Sequence, residues 1–252
     1  MIRSYYQQWY AEHTPPSYTG NPFWERHIAA LRGVLAALDT PRPRALEVGS
    51  GGGNLQHLVE DYTGIDLASS AGRFLEQPFC AASATGLPFA NGVFDIVWSI
   101  WTLEHVIDPQ RMLAEMVRVT RTGGYMFLCA AWCVPDWATR GYHLGRARTF
   151  AERVLGASVV PRRVLGWPSI IASRLAALVR PERGNLDYRF LLPNLLSYDE
   201  YDADACIHID SAAVIRWMTR QGVTCVSHPT WWHVLRAGHG EPLIFRVAKP
   251  HD

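Results

Sequence analysis

Ala45-Leu46-Glu47-Val48-Gly49-Ser50-Gly51-Gly52-Gly53 decides the fold: an apolar strand ends in a carboxylate and opens into a loop of glycines. Glycines at 49, 51 and 53 let the backbone turn sharply and let a ligand lie against bare amides, since a Cβ there would block both. The stretch therefore reads as a nucleoside site. A dinucleotide fingerprint requires G-x-G-x-x-G, and counting from Gly49 puts Asn54 where the third glycine belongs. The spacing is E-x-G-x-G-x-G instead.

Working outward, strands and helices alternate on both sides of that loop. Upstream, Phe23 to Leu38 carries apolar residues at 24, 28, 31, 34, 35 and 38, a helical stripe stopped by Pro41 and Pro43. Strand one is 44–48, a helix is expected from the glycine loop through Leu55, Leu58 and Val59, and strand two is 62–66. A weak third strand lies near Phe79 to Ala82. Phe94 to Ile100 is an apolar run suited to a strand buried on both faces, followed by an amphipathic helix at Arg111 to Val119. Gly123-Gly124 turns into strand five, Tyr125 to Ala130. Alternation resumes with a helix at Ser211 to Gln221, ended by Gly222, and strands at Val223 to Ser227 and Leu243 to Ala248.

The glycine stretch resembles motif I of the class I S-adenosylmethionine (SAM)-dependent methyltransferases. Tyr62-Thr63-Gly64-Ile65-Asp66 reads as a strand ending in a carboxylate where that family grips the ribose diol. Leu87-Pro88-Phe89, Phe94-Asp95-Ile96-Val97 and Leu103-Glu104-His105-Val106 are similar to the branch of methyltransferase type 11 that includes quinone-modifying enzymes. The resemblance covers about 44–131 well and 209–249 loosely. It implies an α/β, Rossmann-like seven-stranded sheet of order 3-2-1-4-5-7-6, with the last strand antiparallel and helices on both faces. Outside the resemblance, the aromatic N-terminal stretch and the break in alternation after strand five add a lid and an inserted helical cap, giving four expected segments: an aromatic lid at 1–22, a SAM-binding core at 23–131, a substrate cap at 132–207, and a closing helix and hairpin at 208–252.

The same resemblance distributes roles. Glu47 faces the methionine moiety of the cofactor, against the alternative that it caps the following loop. Gly49, Gly51 and Gly53 cradle the ligand, Asp66 takes the ribose, and adenine lies between Leu67 and the segment Ser83-Ala84. Ser83 departs from the aspartate many relatives carry, which implies a weaker adenine contact. Ser99 and Trp101, at the carboxyl end of strand four, sit where open α/β sheets bind ligands. Asp95 is read as structural.

For catalysis, His105 and His143 are the candidates, since imidazole exchanges protons near neutral pH. His105 has a helix-start role as its alternative and His143 a surface one. Tyr5, Tyr6, Trp9 and Tyr10 would form an aromatic lid, in keeping with the preference of a sulfonium for π faces. His228, His233 and His239 cluster with Trp231 and Trp232 but lack the ordered ligand set of a metal site, so no metal is expected.

Composition narrows the function. With 252 residues and 48% hydrophobic content the chain can bury one large core, and its formal charge of +1 gives no pull toward nucleic acid. Five cysteines without a repeated C-x-x-C read as reduced thiols of a cytoplasmic protein, and no apolar run is long enough to span a membrane. Between 137 and 189, ten arginines stand against three acids, a net +7 that leaves −6 for the rest. An ordinary amphipathic helix with a solvated basic face is the preferred reading, and an anionic or lipid-linked small molecule is kept open as the other. The expected function is SAM-dependent methyl transfer to a small-molecule O, N or C nucleophile. The alternatives are a SAM-binding protein without transfer and a SAM enzyme of non-methyl chemistry; the oligomeric state is left open.

Overall fold

The computed structural model describes residues 2–132, 171–172, 174–176, 184–190, 204–238 and 240–248. Its centre is a parallel run of β1 (Arg44–Val48), β2 (Asp61–Asp66), β3 (Phe79–Ala81), β4 (Phe94–Ile100) and β5 (Thr120–Cys129). A short ribbon, β6 (Tyr188–Phe190) with β7 (Ile207–Ile209), stands apart from it. β8 (Val223–Cys225) and β9 (Leu243–Val247) complete the sheet in the order β3-β2-β1-β4-β5-β9-β8, with β9 antiparallel to both neighbours. Counting only the strands of this sheet, the order is the expected 3-2-1-4-5-7-6.

Strand periodicity divides the core in two. In β1, Leu46 and Val48 face one side and Ala45 the other; in β5, Met126 and Leu128 alternate with Phe127 and Cys129. The first side packs under α3 (Pro109–Val119) and α4 (Ser211–Arg220), contributing Met112, Met116, Val214 and Met218. The second packs under α2 (Pro22–Ala36) through Leu31 and Val34. Each helix begins at a side-chain cap: Asn21 accepts from the amide of Phe23, Asp108 from that of Arg111, and Asp210 from that of Ala212. Pro22 and Pro109 occupy the first turn, where a missing N–H costs nothing. Asp95 joins neighbouring strands by accepting from the amide of Arg44 at 2.8 Å and from the Arg121 side chain, a structural role.

Two local expectations are corrected. No helix forms after the glycine loop: Gly53 bonds Ser50, Gln56 bonds Gly53 and Leu58 bonds Leu55, each an i to i+3 turn. Only twelve residues separate β1 from β2, and three left-handed glycines use the first of them, so a full helical crossover has no room. The closing strands are not joined by a simple hairpin either, because α5 (Trp231–Arg236) interrupts the connection, capped by Thr230. Most of the expected cap, His143 included, and His239 lie outside the described residues. Where residues of 132–207 are described, they include the β6–β7 ribbon, anchored by the amide of Cys206 on the carbonyl of Glu104 at 2.9 Å.

Candidate cofactor and active site

The glycine loop is shaped by contacts that leave no room for side chains. Gly49, at φ 78°, and Ser50 both donate to the carbonyl of Ile65, at 2.9 and 2.8 Å, which pins the turn to the end of β2. A Cβ on Gly49 would lie 2.2 Å from Oγ1 of Thr102. Gly51, at φ 49°, donates to Oδ2 of Asp66 at 3.1 Å, and a Cβ there would come within 2.8 Å of the Tyr10 hydroxyl. The Asp66 carboxylate also accepts from Ala68 at 3.0 Å, so both oxygens are braced by backbone amides. Burial pushes the Asp66 carboxyl above its ordinary range, opposed by the amides of Ala68, Gly51 and Leu67.

Over this loop lies α1 (Ile2–Glu12), whose Tyr6, Trp9 and Tyr10 side chains are half-buried beneath it. Polar contacts seat it: Gln7 takes hydrogen bonds from Ser69 and Ser70, and Arg73 donates to the carbonyl of Ala11 at 2.9 Å. Behind it, Pro15 closes on Gly52, and Tyr18 stacks on Trp24 at 3.6 Å between ring centroids. Burial raises the Tyr10 and Tyr18 hydroxyls well above the normal phenol range, Asp66 adding to the effect at Tyr10 and Glu47 at Tyr18.

Between α1 and the carboxyl ends of β1, β2 and β4 lies a cavity of about 690 Å³. This is within the range of roughly 300–1,000 Å³ that small-molecule sites occupy. Of the residues singled out from sequence, Gly49, Gly51, Asp66, Leu67, Ser83, Ala84, Trp101, His105, Tyr6, Trp9 and Tyr10 line it. Tyr5, Glu47, Gly53 and Ser99 are not on its wall. Ser99 is fully buried and donates to the carbonyl of Val48 at 2.8 Å, joining β4 to β1. Gly53 supplies a turn packed against Gln56 and Leu75. Ser83 bonds the Thr85 hydroxyl at 2.8 Å.

Glu47 lies behind the wall, 4% exposed, accepting from the Tyr62 hydroxyl at 2.5 Å. Burial raises its carboxyl to about 8, against the lowering effect of Tyr62. Trp101 adopts φ 54°, a left-handed conformation that a bulky residue enters only under constraint. Its amide donates to the carbonyl of Cys129 at 2.8 Å, and its ring lies 5.5 Å from that of Phe23. This strain had no signal in the sequence.

The far end of the cavity holds a residue that sequence reasoning missed. Asp204, just before β7, lines the wall beside His105, with Nδ1 of His105 at 3.2 Å from its Oδ2. The same oxygen accepts a hydrogen bond from the hydroxyl of Tyr6 in α1. Burial, then the Asp204 charge, keeps the Tyr6 proton on oxygen far above the usual phenol range.

The lining fits SAM in its chemistry: backbone at Gly49 and Gly51 that carries no side chain, the Asp66 carboxylate, apolar Leu67 and Ala84, and the Tyr6, Trp9 and Tyr10 rings of α1 share one wall.

Residues 46–128 match the family model described as a methyltransferase domain. A demethylmenaquinone methyltransferase of Mycolicibacterium vanbaalenii is 35% identical over 116 residues, 42% of this chain and 48% of that protein. Another, of Mycolicibacterium paratuberculosis, is 47% identical over 60 residues, 24% and 26% of the two chains. The chain thus spans about half or less of the length of these curated relatives. Among solved structures, a SAM-dependent methyltransferase of Thermotoga maritima superposes with a TM-score of 0.49 at 15% identity, covering 99% of this chain and 100% of that one.

Proposed function

We propose that this chain, which carries a class I SAM-dependent methyltransferase domain in residues 46–128, methylates an oxygen, nitrogen or carbon nucleophile of a small molecule. The observation that carries the reading is the continuity of one cavity from the Gly51–Asp66 cradle to His105 beneath α1. SAM, when bound, supplies a methyl already activated on sulfur. The protein therefore has to bind, align and exclude water, and general acid–base help is a smaller addition. In this reading Gly49, Gly51 and Asp66 hold the adenosyl group, Leu67 and Ala84 flank adenine, and Tyr6, Trp9 and Tyr10 form the lid. His105 faces the acceptor. Glu47 acts from behind the wall on the shape and charge of the cradle.

The names of the relatives make a quinone-class acceptor the first to try, and the basic stretch at 137–189 adds anionic and lipid-linked acceptors. The family model matches residues 46–128, the part that carries the glycine loop and Asp66, so the acceptor is chosen by experiment. Calorimetric titration with SAM and its demethylated product tests the cofactor. Asp66→Ala removes an acceptor of two hydrogen bonds worth roughly 1.5–3 kcal/mol each, so Kd rises by about 10² to 10⁴-fold. An unchanged Kd would remove the ribose assignment. Labelled SAM with quinol, phenol and amine acceptors then tests transfer: label in product supports it, binding without transfer makes the chain a binding protein, and an unlabelled product of altered mass makes it a SAM enzyme of another reaction.

A further inference from the structure

A second cavity, of about 440 Å³, lies between α4, β8 and α5 and shares no lining residue with the first. Its wall carries Arg174, Arg216 and Arg220 and, among the described residues, no aspartate or glutamate. Arg174 is already neutralised, with Nη2 at 2.8 Å from Oδ1 of Asp210 and further hydrogen bonds to the carbonyls of Val234, Leu235 and Ala237. Arg216 and Arg220 stand one turn apart on the same side of α4. Arg216 is half-buried and has no hydrogen-bond or ion-pair partner among the described residues. Burial disfavours its cationic form; the charges of Arg220 and Arg174 add to that effect, and those of Asp210 and Asp187 oppose it. A cation drawn partly out of water beside two like charges is where an anion gains most.

The other polar groups of the wall sort themselves by what they already bind. Thr219 donates to the carbonyl of Ile215 at 2.8 Å, and the Thr230 hydroxyl pairs with Nδ1 of His233 at 2.6 Å. Thr224, on the adjoining strand β8, has no side-chain partner among the described residues. A guanidinium and a hydroxyl on two neighbouring elements are therefore open to a ligand. The remaining surface is apolar: Ile215, Val234, Leu235 and the indole of Trp231, which is 64% exposed. The volume falls in the range of roughly 300–1,000 Å³ typical of organic ligands, more than a bare anion fills. We propose that this cavity is a second ligand site that takes a phosphate ester with an aromatic or apolar body. Arg216, with Arg220 and Thr224, holds the phosphate, and Trp231 and Ile215 receive the body. Phosphate suits this set because its oxygens point in several directions, so donors on α4 and β8 reach it together. The site is independent of methyl transfer and stands whether or not the first cavity binds SAM.

The test is calorimetric titration of the full chain with phenyl phosphate, with and without SAM. Saturable binding that SAM leaves unchanged is expected. Arg216→Gln should raise the Kd by about 10 to 10²-fold and Thr224→Ala by about 2 to 10-fold. Inorganic phosphate and phenol, each one half of the probe, should bind at least about tenfold more weakly than the whole. No saturation by phenyl phosphate, displacement of it by SAM, equal binding of phenol, or the same Kd in Arg216→Gln overturns the proposal. If Arg216→Gln does not fold, Thr224→Ala decides, since it alters an exposed position on an edge strand, and an unchanged Kd there overturns the proposal. Co-sedimentation with vesicles containing phosphatidic acid separates two sources of the ester. Retention that Arg216→Gln abolishes assigns it to a lipid headgroup, and binding of phenyl phosphate without retention assigns it to a free small molecule.

Discussion

Glu47→Gln should make the protein more stable, and increasingly so as pH rises. The Glu47 carboxyl is 4% exposed, and burial lifts it from 4.5 to about 8. Because the folded protein binds this proton more tightly than the unfolded chain, stability is highest below the unfolded value, falls as pH rises through the window between the two, and levels off above about 8. One pH unit corresponds to about 1.4 kcal/mol, so the destabilisation from the Glu47 carboxyl, proton uptake on folding below pH 8 and a buried charge above it, is about 1 kcal/mol at pH 5, about 3 at pH 7 and about 5 at pH 9. Glutamine keeps the carbonyl that accepts from Tyr62 and removes the titration. Any fixed cost of its amide shifts the curve by a constant, so the slope is the observable. Urea unfolding of both proteins from pH 5 to pH 9, analysed by linear extrapolation, gives it. Curves that stay parallel across that range would refute the argument, because Glu47 would then not hold its proton into the neutral range. A confirmed slope would mean the strand-end carboxyl is retained at a cost to stability, as expected of a group kept for binding.

Two further variants test the scaffold. Gly49→Ala places a Cβ 2.2 Å from the Thr102 hydroxyl at φ 78°. Left-handed strain of about 1–2 kcal/mol and overpacking of about 1–3 kcal/mol should lower stability in urea unfolding and weaken SAM binding in calorimetry. Wild-type values for both would show that the loop can move without penalty. Arg174, 3% exposed, binds Asp210 through two nitrogens and donates to the carbonyls of Val234, Leu235 and Ala237. Arg174→Leu leaves these acceptors without their donor and should cost about 3–5 kcal/mol in the same urea assay. A loss below 1 kcal/mol would mean that water replaces the guanidinium.

Local pattern carried the sheet. Continuous apolar runs at 94–100 and 125–130, the carboxylates closing β1 and β2, and the glycines between them have short-range causes, so they are readable one segment at a time. The same holds for caps such as Asp108-Pro109 and Asp210-Ser211, where the side chain bonds an amide two or three residues on. The turns of 50–60 were misjudged because Leu55, Leu58 and Val59 have helical spacing, while the length of the crossover, a property of two paired strands, forbids a full helix. α5 escaped because six residues give too short a period, and its position depends on how β8 meets β9.

Sequence alone thus determined the seven strands of the main sheet, their order by resemblance, and the grouping of Gly49, Gly51 and Asp66, whose members lie within eighteen residues of one another, but not the β6–β7 ribbon. Tertiary structure alone decided that Glu47 is shut behind the wall, that Trp101 is strained into φ 54°, and that Asp204 stands between Tyr6 and His105. The physical reason is range. Turn geometry and periodicity act along the chain, whereas burial of Glu47 depends on how neighbouring strands pack and the approach of Asp204 to His105 on a loop closed over about a hundred residues, for which no local pattern of side chains is required.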